Sequence, residues 1–167
     1  MKCVRIEFDT LPLARRAHAV HNRLVQPALS TGPPRDLVLI IDEDETARDL
    51  YAYWFMDRGF DVMHAIGITG LAWALRSERP RLIVTELSAR DLSIQTLFRR
   101  LSSDELTRCI PVIVVTTCTD PVAHQSAKNR GAVIVLPKFG QGEVPNSHRE
   151  FWLAALDDFR NYLIHAA

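Results

Sequence analysis

Five polar positions in this chain each close an apolar run. Asp42 and Glu43 follow 38–41, Glu86 follows 82–85, Thr116 follows 112–115, and Lys138 follows 133–136 across Pro137. Three carboxylates brought to one mouth would repel unless a cation stood among them. Oxygen donors of this kind suit Mg²⁺, which takes a few carboxylates and keeps several waters. A hydroxyl and an ammonium on the facing rim would then complete a site for a phosphoryl group. Any one of these residues alone reads as a solvated strand end. Taken together, each after its own run, they read as one shared site.

The elements that would bring them together alternate regularly. The runs 38–41, 82–85, 112–115 and 133–136 are continuous and apolar, as suits strands buried on both faces, and 60–65 is a weaker strand candidate. Between them lie helical patterns. Residues 44–58 place Ala47, Leu50, Tyr51, Trp54 and Phe55 on one face and stop at Gly59. Further helices are expected over 70–78, 93–101 and 122–130, and a last one carries Trp152, Leu156, Phe159 and Leu163 inward. Gly67-Ile68-Thr69-Gly70 is too sparse for a phosphate-binding fingerprint and reads as a turn into the second helix. Strand and helix in alternation give right-handed βαβ units. The expected fold is therefore α/β, a flavodoxin-like, doubly wound, five-stranded parallel sheet with helices on both faces, whose ligands bind beyond the carboxyl ends of the strands.

Composition narrows the setting. The 167 residues carry 20 Lys+Arg against 20 Asp+Glu, so no charge excess marks a nucleic-acid partner. No run approaches the ~18 apolar residues of a membrane span, and the first residues lack the apolar core of a signal peptide. Cys3, Cys109 and Cys118 contain no CxxC and argue against a disulfide framework or a zinc site. The six histidines form no HExxH and read as surface residues. Residues 1–36 stand apart: Val4, Ile6 and Phe8 alternate like a short strand, Leu13, Ala17, Val20 and Leu24 have helical spacing, and Pro27, Gly32, Pro33 and Pro34 read as a linker. The expected organisation is an extension over 1–36 and one domain over 37–167, in a cytoplasmic protein without membrane or nucleic-acid contacts.

Four fragments resemble one family in order and interval. Val38-Leu39-Ile40-Ile41-Asp42-Glu43 is similar to the first strand and acidic pair of a response-regulator receiver domain. Arg79-Pro80-Arg81-Leu82-Ile83-Val84-Thr85-Glu86 resembles its third strand, which ends at the phosphoacceptor. Ile110-Pro111-Val112-Ile113-Val114-Val115-Thr116 resembles the fourth, with its switch hydroxyl, and Gly131-Ala132-Val133-Ile134-Val135-Leu136-Pro137-Lys138 the fifth, with its lysine. The likeness runs from about Leu37 to Phe159. It implies two-component, phosphorelay signal transduction with Asp42 and Glu43 as the acidic pocket, Glu86 at the phosphoacceptor position, and Thr116 and Lys138 as switch and phosphoryl contacts. It also implies a Mg²⁺ site from Glu43, Glu86 and the Ser88 carbonyl, with Asp42 acting through water. Protein partners follow, a sensor kinase or a downstream signalling protein, with a homodimer as a further option. With 36 residues before the domain and its last helix at the end, no output domain is expected. The domain is then expected to act through its fourth helix, fifth strand and last helix.

Departures from the family pattern carry information too. Receivers have an aspartate where Glu86 stands and usually an aspartate where Glu43 stands. The loop Leu87-Ser88-Ala89-Arg90-Asp91-Leu92-Ser93 lacks the family's Pro and Gly, Val135 replaces the fifth-strand aromatic, and Phe139 replaces a Pro. The extra methylene of Glu86 moves its carboxylate by about 1.5 Å, into space that a phosphoryl group would fill. A fixed charge there copies a phosphorylated aspartate only in part, since phosphate brings about two charges and three acceptor oxygens. These departures predict an atypical, non-enzymatic receiver. One rival enzyme reading exists: Asp42-x-Asp44-x-Thr46 also fits the nucleophile motif of haloacid-dehalogenase-like phosphatases, with Thr116 and Lys138 serving as their later residues. The helix that follows Thr46 at once, the lack of a cap-sized insertion and the absence of a strand-end acid after Lys138 weigh against it.

Overall fold

The computed structural model describes residues 36–89 and 91–138, with residues 150, 152, 154 and 157 of a further helix. Five strands, β1 (Leu37–Ile41), β2 (Asp61–Ala65), β3 (Leu82–Thr85), β4 (Val112–Thr116) and β5 (Ala132–Pro137), form one parallel sheet in the order β2-β1-β3-β4-β5. This is the flavodoxin-like order. The helices between them are α1 (Glu45–Asp57), α2 (Gly67–Ser77), α3 (Ile94–Ser102) and α4 (Pro121–Arg130).

Register places the chemistry. Ile41 pairs with Thr85, so Asp42 and Glu86, the next residues on neighbouring strands, emerge side by side. Thr116 pairs with Pro137, which sets Lys138 beside the end of β4. The strands β3 and β4 are buried throughout, as is β1 beyond Leu37, because helices cover both faces of the sheet. As the edge strand, β2 instead exposes Asp61 and His64, and this is why its sequence signal is weak.

Local chemistry fixes the helix starts. Asp44, Ser93 and Asp120 cap α1, α3 and α4, their side chains accepting from Ala47, Thr96 and Val122 N–H, and Pro121 opens α4. The start of α2 differs from the expectation: it lies at Gly67, three residues before Gly70. Its cap comes from outside the helix, since the Asp91 carboxylate accepts from Ile68 N–H at 2.9 Å. Gly67 has φ +62°, and a Cβ there would collide with the same carboxylate, so this entry turn requires glycine. After β3 the chain makes a small antiparallel ribbon, Ser88–Ala89 against Leu92–Ser93, in place of a plain loop.

Two apolar layers flank the sheet. Tyr51, Trp54, Phe55 and Trp152 pack with Val38, Ile40, Val84 and Val115 on one face, and Leu71, Leu97, Leu101 and Ala127 with Leu39, Ile83 and Val114 on the other. Trp152 is core, stacked on Tyr51 at 5.3 Å between ring centroids. The expected inward residues Leu156, Phe159 and Leu163, and the strand and helix expected within 1–35, lie outside the described residues. Cys109 is disulfide-bonded, contrary to the reading of the cysteine count, and Cys118 is a free thiol. Unrelated spacings gave no pairing signal to read.

The Tyr51 hydroxyl is buried with no hydrogen-bond partner among the described residues. Burial, followed by the charges of Asp42, Glu86 and Asp44, holds this phenol well above the usual tyrosine range. Tyr51→Phe keeps the ring stack and removes the orphan group, so urea unfolding near neutral pH is expected to show a gain of about 1 kcal/mol. A folded-state pKa raised this way favours the native state below the unfolded value and loses that advantage above pH ~10, where the unfolded chain ionises first. The variant is expected to lack that alkaline loss. A variant weaker than wild type at neutral pH would show instead that the hydroxyl has a partner.

Candidate functional site

The carboxyl ends of β1, β3, β4 and β5 enclose an open cleft of about 680 Å³. Asp42, Glu43, Glu86, Ser88, Thr116 and Lys138 all line it, together with Asp44 and Cys118. All six candidate site residues thus meet at one mouth.

Within it the ammonium of Lys138 is the organising charge. Its Nζ lies 2.7 Å from Asp42 Oδ1, 3.6 Å from Glu86 Oε2 and 4.0 Å from Asp44 Oδ2. The Lys138 and Asp42 side chains are 9% and 4% exposed, so this pair is withdrawn from water and its partners depend on each other. Asp42 is tied further, as its Oδ1 also accepts from Asp44 N–H at 2.9 Å. Arg48, one turn into α1, donates to the backbone carbonyls of Asp42 and Glu43 at 2.8 and 3.1 Å and pins the acidic loop from behind.

Glu86 is bound at both oxygens. Its Oε1 accepts from Leu87 N–H at 3.0 Å, folding the side chain back over its own backbone, while Oε2 turns to Lys138. Lys138 therefore sits closer to Asp42 than to Glu86. Across the cleft, Thr116 is buried and its Oγ1 accepts from Cys118 N–H at 3.1 Å, so the hydroxyl serves its own loop, with no hydrogen bond to Glu86 among the described residues. His124 Nε2 lies 2.6 Å from the Cys118 carbonyl oxygen and steadies that loop from α4.

The donors named for Mg²⁺ share the cleft. Lys138 takes the oxygens of Asp42 and Glu86 that a cation would need, and no three His, Cys, Asp or Glu side chains among the described residues gather as a metal site. Glu43, Glu86 and the Ser88 carbonyl would hold the ion, which would have to compete with the Lys138 ammonium for Glu86. The motif Asp42-x-Asp44-x-Thr46 is likewise occupied: Asp42 by Lys138, Asp44 as the cap of α1.

Sequence reading missed Arg48, Asp91 and Tyr51. The first two act through bonds spanning six and twenty-three residues, which no local motif records. Tyr51 was legible as a core position, but not as a polar atom left buried beneath the acids.

No protein-family profile matches the chain. Over 80 residues, 47% of its length, it is 38% identical to the DNA-binding dual master transcriptional regulator RpaA of Synechocystis, and it spans about a third (33%) of that protein's length. Among solved structures it is similar to a response regulator receiver protein from Pseudomonas putida, at 27% identity and TM-score 0.57, covering 64% of this chain and 88% of that one. It is also similar to a two-component response regulator from Clostridium difficile, at 19% identity and TM-score 0.65, covering 77% and 98%. Sheet order, strand-end residues and these likenesses define a receiver domain. This is the fold of the response-regulator receiver domains that the chain resembles.

Proposed function

We propose that this receiver is atypical: it works by protein–protein contact from one resting state and does not cycle through phosphorylation. One observation carries the reading. Glu86, at the strand end where the resemblance places a phosphoacceptor aspartate, has one oxygen on Leu87 N–H and the other facing Lys138. Its longer carboxylate would obstruct an incoming phosphoryl group, and Lys138 is already paired with Asp42. Receiver switching is a population shift driven by new charge at this position, and here the longer side chain is already held by Leu87 N–H and Lys138. Val135 at the fifth-strand aromatic position agrees, since a fixed state needs no side chain to report a change. The partners proposed are a sensor kinase or a downstream signalling protein, met on α4 and β5 in the cytoplasm. Among the described residues no helix is long and apolar enough to cross a membrane.

Amide spectra recorded during titration with Mg²⁺ and beryllofluoride test this state. The expected result is no saturable shift at Thr116 or Lys138. Saturation at millimolar Mg²⁺, weakened by Glu43→Gln, would put the cation back among Glu43, Glu86 and Ser88 and contradict the fixed state. A phosphatase role is not proposed, because Asp44 is spent as a helix cap. A generic phosphomonoester is expected to remain uncleaved. Steady turnover abolished by Asp42→Asn would revive the haloacid-dehalogenase-like reading.

A further inference from the structure

Charge is balanced over the whole chain and divided in space within this domain. Each helix runs back against the strand it follows, so helix starts and strand ends share one end of the domain, while helix ends lie at the other. At the strand-end pole Glu43, Glu45 and Asp49 are exposed around the first turns of α1. None of them forms an ion pair among the described residues, and the nearby Arg48 is committed to backbone carbonyls. At the opposite pole Arg99 and Arg100 close α3, and Lys128 and Arg130 close α4. All four are exposed and likewise make no ion pair among the described residues. The two helix ends form one surface, since a Cβ on Gly131 would sit 3.1 Å from the Phe98 ring.

Cations at helix ends and acids at helix starts each favour the helix dipole, which explains their signs but not why so many stay unpaired. The acidic complement of the basic pole is carried by the chain itself, and a net charge of zero removes long-range repulsion between copies. We propose that the basic pole formed by Arg99, Arg100, Lys128 and Arg130 docks the acidic α1 pole of a second copy of this chain, head to tail. Such a contact is heterologous and does not close on itself, so it repeats into open chains rather than ending at a dimer. Exposed ion pairs are individually weak, which makes the association concentration-dependent and sensitive to salt. Each contact also brings the neighbour's cations to the rim of the Asp42–Glu86 cleft.

Sedimentation of the full chain tests this at about 0.01 M salt, where charges act over ~30 Å, and at about 1 M, where they act over ~3 Å. At low salt the average mass is expected to climb with concentration past twice the 18.9 kDa monomer without a plateau, and at high salt to return to the monomer. Arg99→Glu with Arg100→Glu, and separately Glu45→Lys with Asp49→Lys, are each expected to abolish association while still unfolding cooperatively, at a midpoint lowered only by the lost helix-dipole interactions. Mixed in equal amounts, the two variants are expected to associate again, because each then presents the pole the other lacks. A mass indifferent to salt, a plateau at the dimer, or a mixture that stays monomeric would overturn the proposal. So would a monomeric wild type whose basic pole retains an acidic peptide or duplex DNA, which assigns that surface to another partner.

Discussion

Lys138→Met is expected to cost the domain about 3–5 kcal/mol, the loss seen when one partner of a buried ion pair is removed. The reason lies in what is left behind. The Asp42 side chain, 4% exposed, keeps the bond to Asp44 N–H but loses its counter-charge at 2.7 Å, and Glu86 loses its own at 3.6 Å. Water reaches neither carboxylate well enough to replace an ammonium. Adding Asp42→Asn removes the stranded charge and is expected to recover a good part of the loss, so a double-mutant cycle in urea should return a coupling of more than 1 kcal/mol. A cost below about 1 kcal/mol for Lys138→Met would place the pair with solvated surface contacts and remove the physical basis for a held state.

Glu86→Asp is expected to make the site more reactive toward a phosphodonor. Shortening the side chain draws the carboxylate back by about 1.5 Å, breaks its reach to Leu87 N–H and opens the volume that Oε1 and Oε2 fill. A displacement near 1 Å is worth on the order of 100-fold in rate, so phosphorylation of the carboxylate by a small phosphodonor should rise by at least that factor over wild type. Labelling of Glu86→Asp no faster than wild type would mean that the ribbon Ser88–Ala89 and Leu92–Ser93, or the Lys138–Asp42 pair, closes the site independently of Glu86.

Much of this structure is legible in the chain, and the illegible parts share a cause. The strands β1, β3 and β4 announce themselves because nearly every residue faces a helix layer, so Leu39-Ile40-Ile41 or Ile113-Val114-Val115 needs no polar alternation. Asp61 and His64 blur β2, since an edge strand is wetted. The start of α2 was misplaced because its cap, Asp91, stands twenty-three residues away. The gathering of Asp42, Glu86, Thr116 and Lys138 followed from strand order alone, but the choice among partners did not. That Lys138 lies at 2.7 Å from Asp42 and 3.6 Å from Glu86 depends on sheet register and on a backbone amide, Leu87 N–H, that competes for Glu86. Residue types fixed which groups would meet, whereas their pairing was decided by distances of about 1 Å.

In the proposed resting state Glu86 stands in for the acceptor and takes no phosphoryl group. Intact-mass spectrometry of the wild-type chain after exposure to a small acyl phosphodonor with Mg²⁺ tests it most directly. An unmodified mass, under conditions that label Glu86→Asp, is the predicted result. A phosphoryl adduct on the wild type, mapped to Glu86 and erased by Glu86→Gln, would contradict the fixed state and return the domain to phosphorelay duty.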